Sequence, residues 1–189
     1  MAEQAAPENV TPDQFFTQLL PAGFEAQRAE GAAVPTDFSM EYHLTGEGGG
    51  DWHVEIKDGK LTTKKGTGDA VLTFTLSAAD FGDAVSSRNG AAPALLLPAS
   101  RPGRPDNSGR AKTLKGTIPQ ELSREGADPF KIELTFNGAA TPRTVLKMKL
   151  ADFIAMQEGK LNGQEAFMTG RLRVEGDMAF MMQVAALTA

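Results

Sequence analysis

The sequence has no cysteine, two histidines, one tryptophan and one tyrosine among its 189 residues. The absence of cysteine excludes disulfides, thiol nucleophiles and thiolate metal ligands. No apolar run reaches the roughly 18 residues that a membrane-spanning helix needs. The net charge of −5 lacks the basic excess that is typical of nucleic-acid-binding proteins. The first ten residues lack the basic-then-apolar pattern of a secretion signal, so we expect a cytoplasmic protein. Because of the net charge, we also expect that the protein does not bind nucleic acid.

Common catalytic motifs are also missing. The sequence contains no Gly-x-Ser-x-Gly elbow, P-loop, dinucleotide-binding glycine pattern or His-Glu-x-x-His segment. His43 and His53, each near a glutamate, could form the zinc site of a hydrolase or another metalloenzyme, but the solvated face of a sheet explains them better. A similar choice between acid–base catalysis and helix capping applies to three carboxylates in the last third of the chain: Asp152, Glu158 and Glu165. We favour the structural interpretation of both groups and predict no enzymatic activity, no metal site and no cofactor.

Apolar and polar residues alternate over several segments, which predicts strands that are buried on one face. The clearest is 38–45, in which Phe38, Met40, Tyr42 and Leu44 would share a face. The same pattern occurs over six further segments: 51–57, 60–65, 71–77, 130–136, 143–150 and 171–177. A sheet that is apolar on one face needs a helical cover, so we predict an α+β fold.

Three helices have recognisable start signals. Residues 11–14 form a capping box before an apolar stripe, and we expect Pro21 and Gly23 to end this helix, with room for a second helical piece near 24–29. Ser77 and Asp80 mark a second start, and Asp177 would cap a final, almost entirely apolar helix.

Residues 91–129 differ from the rest because they hold six of the eleven prolines. This composition predicts irregular surface chain. Within it, the loop 101–115 carries five basic residues: Arg101, Arg104, Arg110, Lys112 and Lys115. A solvated loop would explain these charges, and so would transient docking on an anionic membrane or on coenzyme A phosphates.

Two segments share a layout of strand, Asp-Phe, helix and Asn-Gly. They are residues 71–90 and 145–163, and the second is two residues shorter between strand and Asp-Phe. Duplication, chance and simple architectural repetition would each explain this shared layout.

The last third of the chain is rich in methionine, with six of the eight: Met148, Met156, Met168, Met178, Met181 and Met182. Methionine side chains adapt to irregular apolar shapes. A helix that is apolar all round must be buried or must touch another apolar body. The segment therefore indicates either a tightly packed core or the wall of a cavity for an apolar ligand.

Several of these segments resemble the sterol carrier protein-2 (non-specific lipid-transfer protein) family. The resemblance is carried by Trp52, the turn Lys57-Asp58-Gly59, the strand-to-helix segment Ser77-Ala78-Ala79-Asp80-Phe81, and the thirteen residues from Ala166 to Met178. The thirteen-residue segment is the specific part, and the resemblance covers about residues 11–90 and 145–187. The chain departs from the family pattern at about 91–144, which the resemblance treats as an insertion.

The resemblance implies a curved, mostly antiparallel sheet that helices cover on one face, in a single domain over residues 1–189. Sheet and helices would enclose an apolar cavity for a fatty acid, acyl-coenzyme A, sterol or phospholipid, with no chemistry performed. We expect a monomer that carries or presents this lipid; the alternative is an accessory module that presents hydrophobic substrates to enzymes of lipid or quinone metabolism. Ten residues are predicted to line the cavity: Phe153, Ile154, Met156, Phe167, Met168, Leu172, Val174, Met178, Met181 and Met182.

Overall fold

The computed structural model describes residues 10–29, 37–96 and 107–188, and within them one mixed sheet of eight strands organises the chain. The strands are β1 (Phe38–Thr45), β2 (Gly50–Lys57), β3 (Lys60–Lys65), β4 (Leu72–Ser77), β5 (Gly116–Arg124), β6 (Ala127–Phe136), β7 (Thr144–Lys149) and β8 (Arg173–Gly176). Their order across the sheet is β3-β2-β1-β4-β6-β5-β7-β8. The β1–β4 and β5–β7 pairs are parallel, and the other five pairs are antiparallel. The predicted α+β class with a mostly antiparallel sheet is confirmed.

Helical segments precede, interrupt and follow these strands. They are α1 (Pro12–Gln14), a π-helical segment (Phe15–Leu19), α2 (Leu20–Ala29), α3 (Ala78–Val85), a 3₁₀ turn (Pro93–Leu96), α4 (Ser108–Ala111), α5 (Leu150–Gln157), α6 (Gly163–Met168) and α7 (Met178–Thr188). The predicted caps are confirmed: the side chains of Thr11, Ser77 and Asp177 accept hydrogen bonds from backbone N–H groups of the first turns at 3.2, 3.0 and 2.8 Å.

The first helix does not end near Pro21, contrary to the sequence-based expectation. The chain remains helical to Ala29 after a π-helical segment, in which the N–H of Leu20 donates to the carbonyl of Phe15. A π-helical turn shifts the hydrogen-bond pattern by one residue. This shift accommodates a proline that has no N–H to donate.

Alternation along the strands creates the single core of the sheet. In β1, the four apolar residues starting at Phe38 are at most 6% exposed, whereas the intervening side chains are partly or fully exposed. Phe16 from the N-terminal helix packs between β-strand aromatics, with its ring centroid 4.9 Å from Tyr42 and 5.1 Å from Trp52. The helices therefore cover the apolar face of the sheet, as its one-sided pattern requires.

The expectation of irregular chain over 91–129 is wrong for residues 116–124, which form β5 in the interior of the sheet, and for residues 127–129, which begin β6. Pro119 is the reason that the sequence pattern did not predict β5. Alternate residues of a strand direct their N–H groups to the same side. The N–H of Thr117 donates to the carbonyl of Pro142 beside β7, and the β5–β7 ladder starts only at Gln120. The nitrogen of Pro119 thus points to a stretch outside the ladder, so that no sheet hydrogen bond is lost.

The topology repeats along the chain. In the first half, β1 pairs antiparallel with β2 and parallel with β4, and α3 follows β4 at once. In the second half, β5 pairs antiparallel with β6 and parallel with β7, and α5 follows β7 at once. The two Asp-Phe segments noted in the sequence occupy equivalent places in these units.

Candidate functional site

A large pocket of about 1170 Å³ lies between the apolar face of the sheet and the helices. All eight strands contribute apolar side chains to it, from Leu61 on β3 at one edge to Val174 on β8 at the other. The helical side is supplied by the N-terminal helix, α5, α6 and α7. The pocket is larger than the roughly 300–1,000 Å³ of typical small-molecule sites.

Eight of the ten predicted lining residues contribute to the pocket wall: Phe153, Met156, Phe167, Leu172, Val174, Met178, Met181 and Met182. Ile154, which packs on the core from the same helix, and Met168, which is 77% exposed, lie outside it. That any of the ten residues contacts a ligand remains a prediction.

The apolar C-terminal helix is not tightly buried. Phe180 is 2% exposed and meets Phe136 edge-on, but Met178 and Met182 on the same helix are 46% and 72% exposed. Phe167 on α6 is 49% exposed and lines the same pocket. Large apolar side chains that line a pocket and also reach solvent form an apolar rim.

Sequence reasoning missed the contribution of the N-terminal helix. Phe15, Leu19, Leu20 and Phe24 all line the pocket. Their i, i+4, i+5, i+9 spacing marks one apolar face of a helix. That spacing was visible in the sequence, but it does not tell whether such a face meets a filled core or a hollow one.

Gln120 is another pocket residue that sequence reasoning missed. It lies on β5 between Ile118 and Leu122, on the core face, and it lines the pocket while only 6% exposed. Its side-chain Oε1 has no hydrogen-bond partner within the part of the chain that the structure describes. Such orphaned buried polar atoms are rare in folded proteins.

The two histidines do not come together with the carboxylates as a metal site. His43 pairs with Asp51 on β2 and is half exposed, whereas His53 is 6% exposed and packs against Gly68. Across residues 10–29, 37–96 and 107–188, no group of three or more potential ligands is arranged to hold a metal ion. The structure therefore offers no support for the zinc interpretation.

The three C-terminal carboxylates have structural partners instead of each other. Asp152 pairs with Arg171 at 3.6 Å and Glu158 with Lys160 at 2.7 Å. Glu165 lies in the first turn of α6, where a negative charge complements the helix dipole.

The basic segment is described only in part, because Arg101 and Arg104 lie outside the described residues. Arg110, Lys112 and Lys115 are exposed. Arg110 and Asn107 donate to the carbonyls of residues 186 and 187 at 3.2 and 3.0 Å. These hydrogen bonds satisfy carbonyls at the end of α7, which the helix itself leaves unpaired. No helix in the described ranges has the length and apolar character required to cross a bilayer.

Comparison with known proteins gives one family match. Residues 99–189 match the model of the SCP-2 sterol transfer family. No curated protein matches the chain.

Solved structures with low similarity to this chain include the following three. The solution structure of the sterol carrier protein domain 2 of Helicoverpa armigera is 20% identical, with 44% of this chain and 73% of that chain covered and a TM-score of 0.37. A double mutant of the sec-alkyl sulfatase PisA1 is 14% identical, with 94% of this chain but 16% of that chain covered and a TM-score of 0.32. Sterol carrier protein 2 from Yarrowia lipolytica in its apo form is 14% identical, with 93% and 81% covered and a TM-score of 0.20.

The family match spans α4 to α7, including the thirteen-residue segment that was the specific part of the resemblance. It also spans most of the segment that the resemblance treated as an insertion. The resemblance to the sterol carrier protein-2 family is thereby confirmed for its C-terminal part, residues 145–187.

Proposed function

We propose that the protein binds a long apolar ligand of the lipid type in the pocket between sheet and helices and carries or presents it without chemical change. Three observations support this proposal: the volume of about 1170 Å³, the apolar lining from every strand, and the sterol-transfer family match over residues 99–189. The last third of the chain and the N-terminal helix would form the wall opposite the sheet.

The observation that carries the proposal is the partial exposure of Leu134. This residue pairs with Phe74 on β4 and with Ile118 on β5, so it lies in the interior of the sheet. A side chain on the core face at that position would be expected to be fully buried. Leu134 is instead only partly buried and lines the pocket, which is consistent with a space above it that side chains do not fill.

The energy available from an apolar ligand is sufficient. Burying sixteen methylene groups at about 0.8 kcal/mol each contributes roughly 13 kcal/mol before costs. Loss of ligand freedom and ordering of side chains removes several kcal/mol of this. Micromolar affinity needs about 8 kcal/mol, so the apolar lining can hold such a ligand even without a polar contact.

Native mass spectrometry of the freshly purified protein, followed by displacement of a fluorescent fatty acid, tests this function. We expect a co-purified lipid or saturable displacement by long-chain lipids. Leu134→Trp would place a bulky indole ring in the centre of the pocket, and we expect binding to weaken at least tenfold. Lys131→Trp is the matched control, because Lys131 is exposed on the opposite face of β6 and should leave binding unchanged. Absence of both co-purified lipid and displacement, or equal binding by the two variants, would contradict the proposed function.

A further inference from the structure

The pocket contains one polar group whose position has no structural explanation. Gln120 pairs with Ile132 on β6 and with Leu146 on β7, and both neighbours also line the pocket. Side chains of directly paired residues stand on the same face of a sheet. The Gln120 amide is therefore surrounded by aliphatic side chains in the middle of an apolar wall.

This amide is also unsatisfied. The side-chain Oε1 is a strong acceptor, and among the residues that the structure describes none donates to it. An unpaired acceptor in an apolar environment destabilises a protein, whereas an apolar side chain of the same size would not. A glutamine at this position is unfavourable for the empty protein, but it becomes favourable if a bound molecule supplies a donor.

We propose that Gln120 is the polar anchor of the pocket and selects apolar ligands whose polar end carries a hydrogen-bond donor, either a hydroxyl or a protonated carboxyl group. This inference rests on the proposed function and adds the ligand class. Oε1 has almost no accessible surface in the empty protein, so the Gln120 amide turns about its terminal torsion to meet the donor of the ligand midway along β5. The hydrocarbon part of the ligand lies along the aliphatic wall. A ligand of equal size without a donor leaves Oε1 unpaired, so it binds more weakly.

Two probes of equal heavy-atom number test the donor requirement. Hexadecanol carries a hydroxyl donor, and pentadecyl methyl ether carries an oxygen that only accepts. Both compete with a fluorescent fatty acid for the delipidated full-length protein, and both are delivered from cyclodextrin. We expect the wild type to prefer the alcohol about tenfold, because a site with a buried polar group rejects a ligand that leaves this group unpaired.

Substitution at Gln120 should abolish the preference while binding persists. Gln120→Leu should bind alcohol and ether equally well, and its empty form should melt at a higher temperature than the wild type. Gln18→Leu is the matched control: Gln18 is an exposed glutamine of the N-terminal helix that does not line the pocket, and its loss should leave the tenfold preference intact.

The outcomes separate this inference from the proposed function. A failure of both probes to compete overturns the function and the anchor together. Competition by both probes without preference in the wild type overturns the anchor alone, and it would indicate that a trapped water satisfies the amide. A preference that survives Gln120→Leu also overturns the anchor, whereas a preference lost only in that variant supports it. A protonated fatty acid as a third probe distinguishes the two donor types, since its affinity should fall as rising pH removes the carboxyl proton.

Discussion

Removal of the Arg124 side chain should destabilise the protein far more than removal of an ordinary surface charge. Arg124 ends β5, and its side chain is 7% exposed. It contacts Asp80 at 3.0 Å and Asp83 at 2.9 Å, both on α3 of the first structural unit. Its Nε donates to the carbonyl of Asp128 at 2.7 Å, and the guanidinium lies 5.7 Å from the ring centre of Phe130. One arginine thus joins the helix of the first unit to the β5–β6 hairpin of the second.

The size of the effect follows from burial. Arg124→Met keeps the aliphatic stem but leaves Asp80 without a cation and Asp83 with only the half-exposed Arg88 at 3.6 Å, although these two carboxylate side chains are only 13% and 16% exposed. Breaking a largely buried charge pair from one side costs about 3–5 kcal/mol. Arg143→Met is the matched control, because Arg143 pairs with Glu133 at 2.9 Å while half exposed. Exposed pairs contribute about 1 kcal/mol or less.

Urea unfolding monitored by tryptophan fluorescence measures the difference. Trp52 is the only tryptophan, is 3% exposed and stacks on Phe16, so its emission reports loss of the core. We expect a large drop in the midpoint for Arg124→Met with an unchanged slope. In a double-mutant cycle, Asp83→Asn should recover part of the loss, because it removes one of the two largely buried charges that have lost Arg124. If Arg124→Met loses no more stability than Arg143→Met, the argument from burial is refuted.

Three further predictions concern other parts of the fold. Burial raises the pKa of Tyr42, so the free energy of unfolding should fall as pH rises above about 10, the pKa of tyrosine in the unfolded chain. The absorbance of this single tyrosine should show tyrosinate only on unfolding, and Tyr42→Phe should remove the alkaline fall in stability. Gly116→Ala should cost roughly 3 kcal/mol in urea unfolding, because a Cβ would lie 2.5 Å from the Phe180 ring at a φ of +137°. Gly126→Ala, with open space around its Cβ and a φ of +72°, should cost only about 1 kcal/mol, and equal losses would contradict the packing argument. Asn162→Ala should cost about 1 kcal/mol in the same assay, because its side chain caps α6 at two backbone N–H groups; an unchanged midpoint would show that the cap is dispensable.

Much of the secondary structure could be predicted because its causes are local. The alternation that starts at Phe38 and the capping side chains of Thr11 and Ser77 act within a few residues, and each prediction is confirmed. The strand containing Pro119 was missed because its proline is acceptable only through its place beside β7. That place depends on residues more than twenty positions away, which local patterns do not record.

The repeated layout of residues 71–90 and 145–163 shows a similar division. The sequence indicates a strand that enters an Asp-Phe helix twice, and the structure has β4 with α3 and β7 with α5 at those places. The sequence does not indicate that the two units lie side by side through the β4–β6 pair. That pairing makes one continuous sheet and therefore one apolar face across all eight strands.

The sequence by itself determined which residues are apolar on each strand and helix, and hence most of the surfaces that meet. Phe153, Met156 and Met181 were predicted to line a cavity from the family resemblance together with their apolar character, and all three line the pocket. Only the tertiary structure decided that this interior leaves a pocket above Leu134 and contains the unpaired amide of Gln120. The physical reason is that hydrophobic periodicity specifies the direction of a side chain, whereas the distance between a sheet and its helical cover results from the packing of many residues that are distant in the chain.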